Sequence, residues 1–140
     1  MKTFALRLKP EADLRQALLQ FAQMRPLRAG FVLSAVGSLH QACLRFAGAA
    51  TGTILTGKFE LIALTGTLCP TGVHLHGAIA DATGQTRGGH LLTGCLVYTT
   101  CELVLGEAMG WEFRRELDPE TGFHELIPQP SATESSSKLP

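Results

Sequence analysis

From residue 31 to residue 127 the chain offers a succession of β-prone runs and almost no helical spacing, which constrains its fold more than any other feature. The runs cover 31–36, 42–46, 59–68, 73–80 and 91–105. Gly37-Ser38, residues 47–52, Pro70-Thr71-Gly72 and Asp81-Ala82-Thr83-Gly84 punctuate them. Alternation returns at 111–117, Asp118-Pro119-Glu120-Thr121-Gly122 reads as a turn, and 123–127 as a last short strand. Before residue 31 the signal differs. Phe4, Leu6 and Leu8 alternate with Thr3, Arg7 and Lys9, predicting a first strand that Pro10 ends. Leu14, Ala17, Leu18 and Phe21 then recur at helical spacing, with Pro10, Glu11 and Asp13 suited to a helix start and Pro26 to its stop. The expectation is an α+β single domain, mostly an antiparallel β-sheet with one principal helix packed against it.

The expected domain is 1–127. Residues 128–140, rich in Ser and Pro and poor in large apolar side chains, are expected to form a disordered C-terminal tail. A 140-residue chain can bury a real core without disulfides or structural metal, so stability alone demands no ion. Its 45% hydrophobic residues against 17% charged leave apolar surface that subunit contacts could cover. Twelve basic residues balance twelve acidic ones, so no net positive field draws in a phosphate backbone, and the arginines are scattered in sequence. Cys43, Cys69, Cys95 and Cys101 form no C-x-x-C pair and read as buried reduced thiols. The first residues lack an apolar signal core and no run approaches the ~18 residues of a membrane span, so a cytoplasmic protein is expected.

The chemistry gathers at three histidines. His74 and His76 are two apart in the run 73–80, so both imidazoles project from one face while Val73, Leu75 and Ile79 take the other. The chain returns through Gly88-Gly89-His90 after the turn near Thr83. An odd loop centred there sets 76 opposite 90 and 74 opposite 92, with paired Cβ atoms roughly 4.5–5.5 Å apart. A one-residue slip would remove His90 from the set. A single strand histidine is ordinarily a satisfied or exposed side chain, whereas three converging imidazoles suit a divalent metal, Zn²⁺ above others, with a fourth position open. Gly77, Gly88 and Gly89 leave room beside them or mark a bulge. Glu60 and Glu102 are candidates to orient a ligand imidazole or act as acid or base. His40 and His124 read as structural or surface residues.

Other motifs fail. Gly52 to Lys58 fits G-x-x-x-x-G-K, but Phe59 stands where a P-loop needs Ser or Thr, and a strand follows instead of a helix. His74-x-His76 occurs in amidohydrolases, whose barrel needs a longer chain. No G-x-S-x-G elbow is present.

Glu11-Ala12-Asp13-Leu14, Val36-Gly37-Ser38-Leu39, Leu44-Arg45, Gly57-Lys58-Phe59-Glu60-Leu61-Ile62, His74-x-His76, Gly88-Gly89-His90-Leu91 and Thr100-Cys101-Glu102 stand in an order and spacing that resembles the plants-and-prokaryotes conserved domain. The resemblance runs through most of residues 3–118. It implies an α+β domain assembling as a homotrimer, prokaryotic members named for DNA binding, and histidines able to bind metal at the matching positions. In the plant proteins the segment matching Gly57, Lys58, Phe59 and Glu60 contacts protein partners and reads Gly-Arg-Phe-Glu, so Lys replaces Arg here. No Arg-Gly-Arg-Pro AT-hook occurs, which removes the DNA-contacting part of those proteins. The expected function is a trimeric metal-binding regulatory module of a family named for DNA binding. The alternative is a small hydrolase-like, metal-dependent enzyme built on the three-histidine site, whose bound water could approach a pKa near ~7.

Overall fold

The computed structural model describes residues 1–132. The alternating N-terminal run forms strand β1 (Lys2–Leu8), and the helix-period run forms α1 (Leu14–Met24). The helix starts later than the Pro10-Glu11 signal suggests. Glu11 adopts a positive φ of 71° and its N–H donates to the Val97 carbonyl, so the chain is still turning there. Asp13 is the N-cap, its carboxylate accepting from Gln16 N at 3.0 Å. A second oxygen of Asp13 accepts from Gly94 N at 2.6 Å, tying the helix start to the loop before β6. Leu14, Leu18 and Ala22, spaced four apart, face inward and are buried. Arg25 N bonds the Phe21 carbonyl and Pro26 offers no N–H, which ends the helix.

Five strands, β2 (Gly30–Arg45), β3 (Thr53–Cys69), β4 (Gly72–Ala80), β5 (Thr86–Leu91) and β6 (Leu96–Glu107), join β1 in a six-stranded sheet of order β1-β6-β2-β3-β4-β5, all neighbours antiparallel. β2 is longer than expected. Gly37-Ser38 does not break it, because the strand absorbs them in irregular register against β6, and a Cβ at Gly37 would sit 2.2 Å from the Thr100 carbonyl oxygen. Register shifts in β2 and at Ile62 of β3 bend these long strands. That bending lets β5 return to β2 beyond the end of β6, through Leu44↔Leu91 and Arg45↔His90, so that β2, β3, β4 and β5 close on themselves. The inner face holds the core with α1: Leu39, Leu44, Leu68, Leu75, Ile79 and Leu91 are all nearly inaccessible. The fold is therefore α+β, one domain, mostly antiparallel, with one helix among the described residues.

A separate hairpin, β7 (Trp111–Leu117) and β8 (His124–Pro130), forms a two-stranded sheet. β8 runs past residue 127 to Pro130, and Ser131 is buried with its N–H on the Gly110 carbonyl. Among the described residues β8 pairs only with β7, and an edge strand tolerates Pro128 and Pro130. The rest of the expected tail, 133–140, lies outside the described residues. No helix among the described residues is long and apolar enough to cross a membrane.

Candidate metal centre

Asp81 sets the hairpin that builds the site. Its Oδ1 accepts from Thr83 N, Thr83 Oγ1 and Gln85 N at 2.8, 2.6 and 3.1 Å, shaping a five-residue loop between the paired Ala80 and Thr86. His76 consequently pairs with His90, the register expected. His74 has no such partner at 92, because β5 ends at Leu91 where it meets β2.

The three imidazoles converge. Ring centroids stand 4.9 Å apart for His74–His76 and His74–His90, and 5.4 Å for His76–His90. The Nε2 atoms of His74 and His76 are 3.1 Å apart, and one ring nitrogen from each of the three lies within 4.8 Å of the others. Tetrahedral Zn²⁺ with Zn–N of about 2.0–2.1 Å needs ligand nitrogens roughly 3.3–3.4 Å apart. The His74–His76 pair, at 3.1 Å, is already within a few tenths of an ångström of that spacing, and the trio lies within 4.8 Å. The Nδ1 of His90 is also buried without a hydrogen-bond partner, a polar atom left for an ion or ligand to satisfy. These residues fit a divalent ion.

Electrostatics favour the neutral, ligand-ready form of His90 and His74. Burial, then the neighbouring His74 and Arg45, push His90 down to about 4. Burial, then Arg115 and His76, lower His74, while Glu125 opposes them. A low pKa removes the proton that would compete with a metal.

The glycines act differently from the roles read in sequence. A Cβ at Gly89 would lie 2.8 Å from the Arg45 carbonyl oxygen and one at Gly88 3.0 Å from that of Gly77, so both permit close strand approach in an unbulged ladder. Gly66, opposite Leu75 with φ 151°, would place a Cβ 2.0 Å from the His74 carbonyl oxygen.

Neither candidate carboxylate joins the histidines. Glu60 shares their face but pairs with Ala80, four residues from His76, roughly 13 Å at ~3.3 Å per residue. Glu102 is exposed on β6 opposite Val36 and Arg7, a different part of the sheet. Gly57, Lys58, Phe59 and Glu60 lie on β3, where the first three line a separate cavity with Ile54, Ile79 and Arg87.

Instead the β7–β8 hairpin flanks the histidines, while His76 stays exposed. Arg115 Nη2 donates to Thr67 Oγ1 at 2.6 Å, and Thr67 pairs with His74. Two cavities meet at His74, Arg115 and Glu125: one of about 320 Å³ also reaches His76, the other of about 500 Å³ reaches His90, Arg45 and Arg15. Arginines remote in sequence therefore converge, which the scattered pattern concealed. Arg115, Arg45 and Glu125 carried no local sequence signal, since the hairpin's docking and the β2–β5 closure are both long-range. His124, exposed, lines the larger cavity, and its carbonyl accepts from Arg115 Nη1 at 3.4 Å. His40 pairs with Glu11 at 3.0 Å, away from the site.

The model of the Plants and Prokaryotes Conserved (PCC) domain matches residues 1–109. A Synechococcus sp. (strain JA-3-3Ab) protein named bifunctional protein GlmU is 54% identical over 126 residues, 90% of this chain and 20% of that protein. The chain thus spans about a fifth of the curated relative's length. A solved hypothetical protein from Salmonella enterica superposes with a TM-score of 0.88 at 43% identity, covering 92% of this chain and 94% of that one. A candidate DNA-binding protein from Ralstonia eutropha JMP134 gives 0.72 at 26% identity, covering 88% and 89%.

Proposed function

The chain belongs to the Plants and Prokaryotes Conserved domain family, and on that footing we propose that it is a divalent-metal-binding module in which His74, His76 and His90 hold zinc. The observation that carries this reading is the convergence of three imidazole nitrogens within 4.8 Å on two hydrogen-bonded strands. Rigid strands hold imidazoles with little entropy left to lose, and three of them leave one position for an exchangeable ligand. A segment 54% identical occupies a fifth of a longer bifunctional protein, which suits an accessory binding module joined to other machinery. Elemental analysis of the purified protein beside His76→Ala and His90→Ala tests the site. Metal in the parent and loss in both variants is expected; equal content in all three overturns it.

The module works as a homotrimer in this reading. Leu33, Val36 and Val104 stay exposed on the outer face of the sheet, apolar surface that assembly would cover. Light scattering should return three times the chain mass, and a monomer at assay concentration would refute it.

Duplex DNA ranks second, favoured by the name of the Ralstonia relative. Against it stand the balanced charge and the fact that the three converging arginines line a cavity, not an open stripe. Titration with random duplex at low salt decides: a shift at micromolar protein would restore this reading. Hydrolysis is less well served, because Glu125, the carboxylate lining both cavities, accepts from Thr121 Oγ1 at 3.0 Å on its own hairpin.

A further inference from the structure

Three guanidiniums border the cavity beside the histidines, and among the described residues none of them makes an ion pair with a carboxylate within 4.0 Å. Glu125 is the one carboxylate lining the same cavity among the described residues, so three positive charges, partly shielded from water, face a single negative one and leave room for a counter-ion.

Two of the arginines are held so as to present donors. Arg115 is fixed from one side by Thr67, yet its Nε is buried and has no acceptor. A buried N–H without a partner costs free energy unless something outside the chain satisfies it. Arg45 sits directly across from His90 in the β2–β5 ladder, so both side chains leave the same face of the sheet. Its guanidinium stacks over the Phe123 ring at 5.5 Å, which occupies a face of the planar group and leaves its N–H edge free. A planar N–H edge matches the paired oxygens of a carboxylate or phosphate. The cavity of about 500 Å³ is of the size that encloses a small ligand.

We propose that this cavity binds an oxyanion, the carboxylate or phosphate group of a small molecule, with Arg45 and Arg115 gripping the group while one of its oxygens takes the metal's open position. The inference rests on the metal reading of the histidine trio and adds the class of its exchangeable ligand. The metal supplies one positive pole and the two guanidiniums orient the group from the β2 and β7 sides. Glu125, held by Thr121, sets a limit: a ligand with a second negative charge must direct it away from that carboxylate.

The test uses the full chain loaded with Co²⁺, whose visible absorption reports ligand exchange on the ion. Phosphate and succinate are titrated separately, with uncharged imidazole as control. The expected result is a saturable spectral change with at least one oxyanion, weakened tenfold or more in Arg115→Gln and in Arg45→Gln, partly recovered in Arg115→Lys, and no change in imidazole affinity. Response to phosphate alone, to succinate alone or to both supports the site and assigns the source of the oxyanion. No response to either, or equal affinity in the arginine variants, overturns the inference while leaving the metal reading standing. A protein that takes up no Co²⁺ overturns the metal reading and this inference together. Should Arg115→Gln fail to fold, Arg45→Gln carries the test, because the Arg45 side chain is held by a ring stack alone.

Discussion

Replacing His90 by Ala separates metal binding from packing, because the quantity to compare is the stabilisation added by metal and not stability itself. An ion that binds only the folded chain stabilises it by RT ln(1 + [L]/Kd), about 2.7 kcal/mol at a free concentration of 100 Kd. For a chain of 140 residues each kcal/mol moves the melting temperature by roughly 3–4 °C, so the parent should gain about 8–11 °C on saturation with Zn²⁺. His74 and His76 remain in His90→Ala, their Nε2 atoms still 3.1 Å apart, and form a two-ligand site. Removing even an outer partner of a ligand costs 10–100-fold in affinity, so losing the ligand itself should cost at least about 100-fold. At the same free Zn²⁺ the ratio [L]/Kd then falls to about 1, leaving ~0.4 kcal/mol and a shift of about 1–2 °C. Differential scanning calorimetry with and without Zn²⁺, at one protomer concentration, reads both shifts. Any packing lost with the imidazole appears in the metal-free scan and cancels in the difference. Equal metal-induced shifts in parent and variant would refute the geometric argument for His90.

Other perturbations read neighbouring parts of the same structure. Gly66→Ala would press a Cβ to 2.0 Å from the His74 carbonyl oxygen at a φ of 151°, so a loss of about 2–4 kcal/mol in urea unfolding is expected together with lost metal, and a neutral variant would disprove the close approach. Asp13→Ala removes a helix cap and strands the Gly94 N–H, together about 2–4 kcal/mol, whereas Asp13→Asn should retain most of the cap. In metal-free protein the His90 pKa of about 4 lies below its ordinary 6.5, so the unfolded chain takes up the proton first as pH falls. The stabilisation is complete above pH 6.5 and is lost as pH falls from there through about 4. Imidazole NMR titration should find His90 neutral at pH 5.5, and a midpoint near 6.5 would contradict the burial argument.

The elements legible in sequence were those fixed locally. Leu14, Leu18 and Ala22 with Asp13 specify the helix through spacing and a cap. The His76–His90 pairing follows from a loop that Asp81 organises through its own side chain, so a short segment decides it. What stayed hidden depends on distant contacts. Gly37-Ser38 looks like a break until β6 is laid beside it, where the glycine gives room to the Thr100 carbonyl. Arg45 looks like one scattered charge until β5 closes onto β2. Glu60 shows the converse: it shares the histidines' face, as alternation allows, but the bulge at Ile62 and four residues of β4 leave it out of reach.

The family match ends before the β7–β8 hairpin begins. Residues 1–109 contain all three histidines and Arg45, whereas Arg115, Phe123 and Glu125 belong to the hairpin that follows. A ligand at the open metal position would touch both parts, the conserved-domain portion through the ion and the hairpin through Arg115 and the ring that braces Arg45. The hairpin is joined to the barrel by few anchors near the site, chiefly Arg115 on Thr67 and Thr71. Substitutions there can re-shape the cavity wall without disturbing the β4–β5 ladder that sets the histidines. If the site holds a metal and an oxyanion as proposed, the two would depend on different parts of the chain: the ion on a β4–β5 register that a one-residue slip destroys, the oxyanion on Arg45 of β2 together with Arg115 of the hairpin.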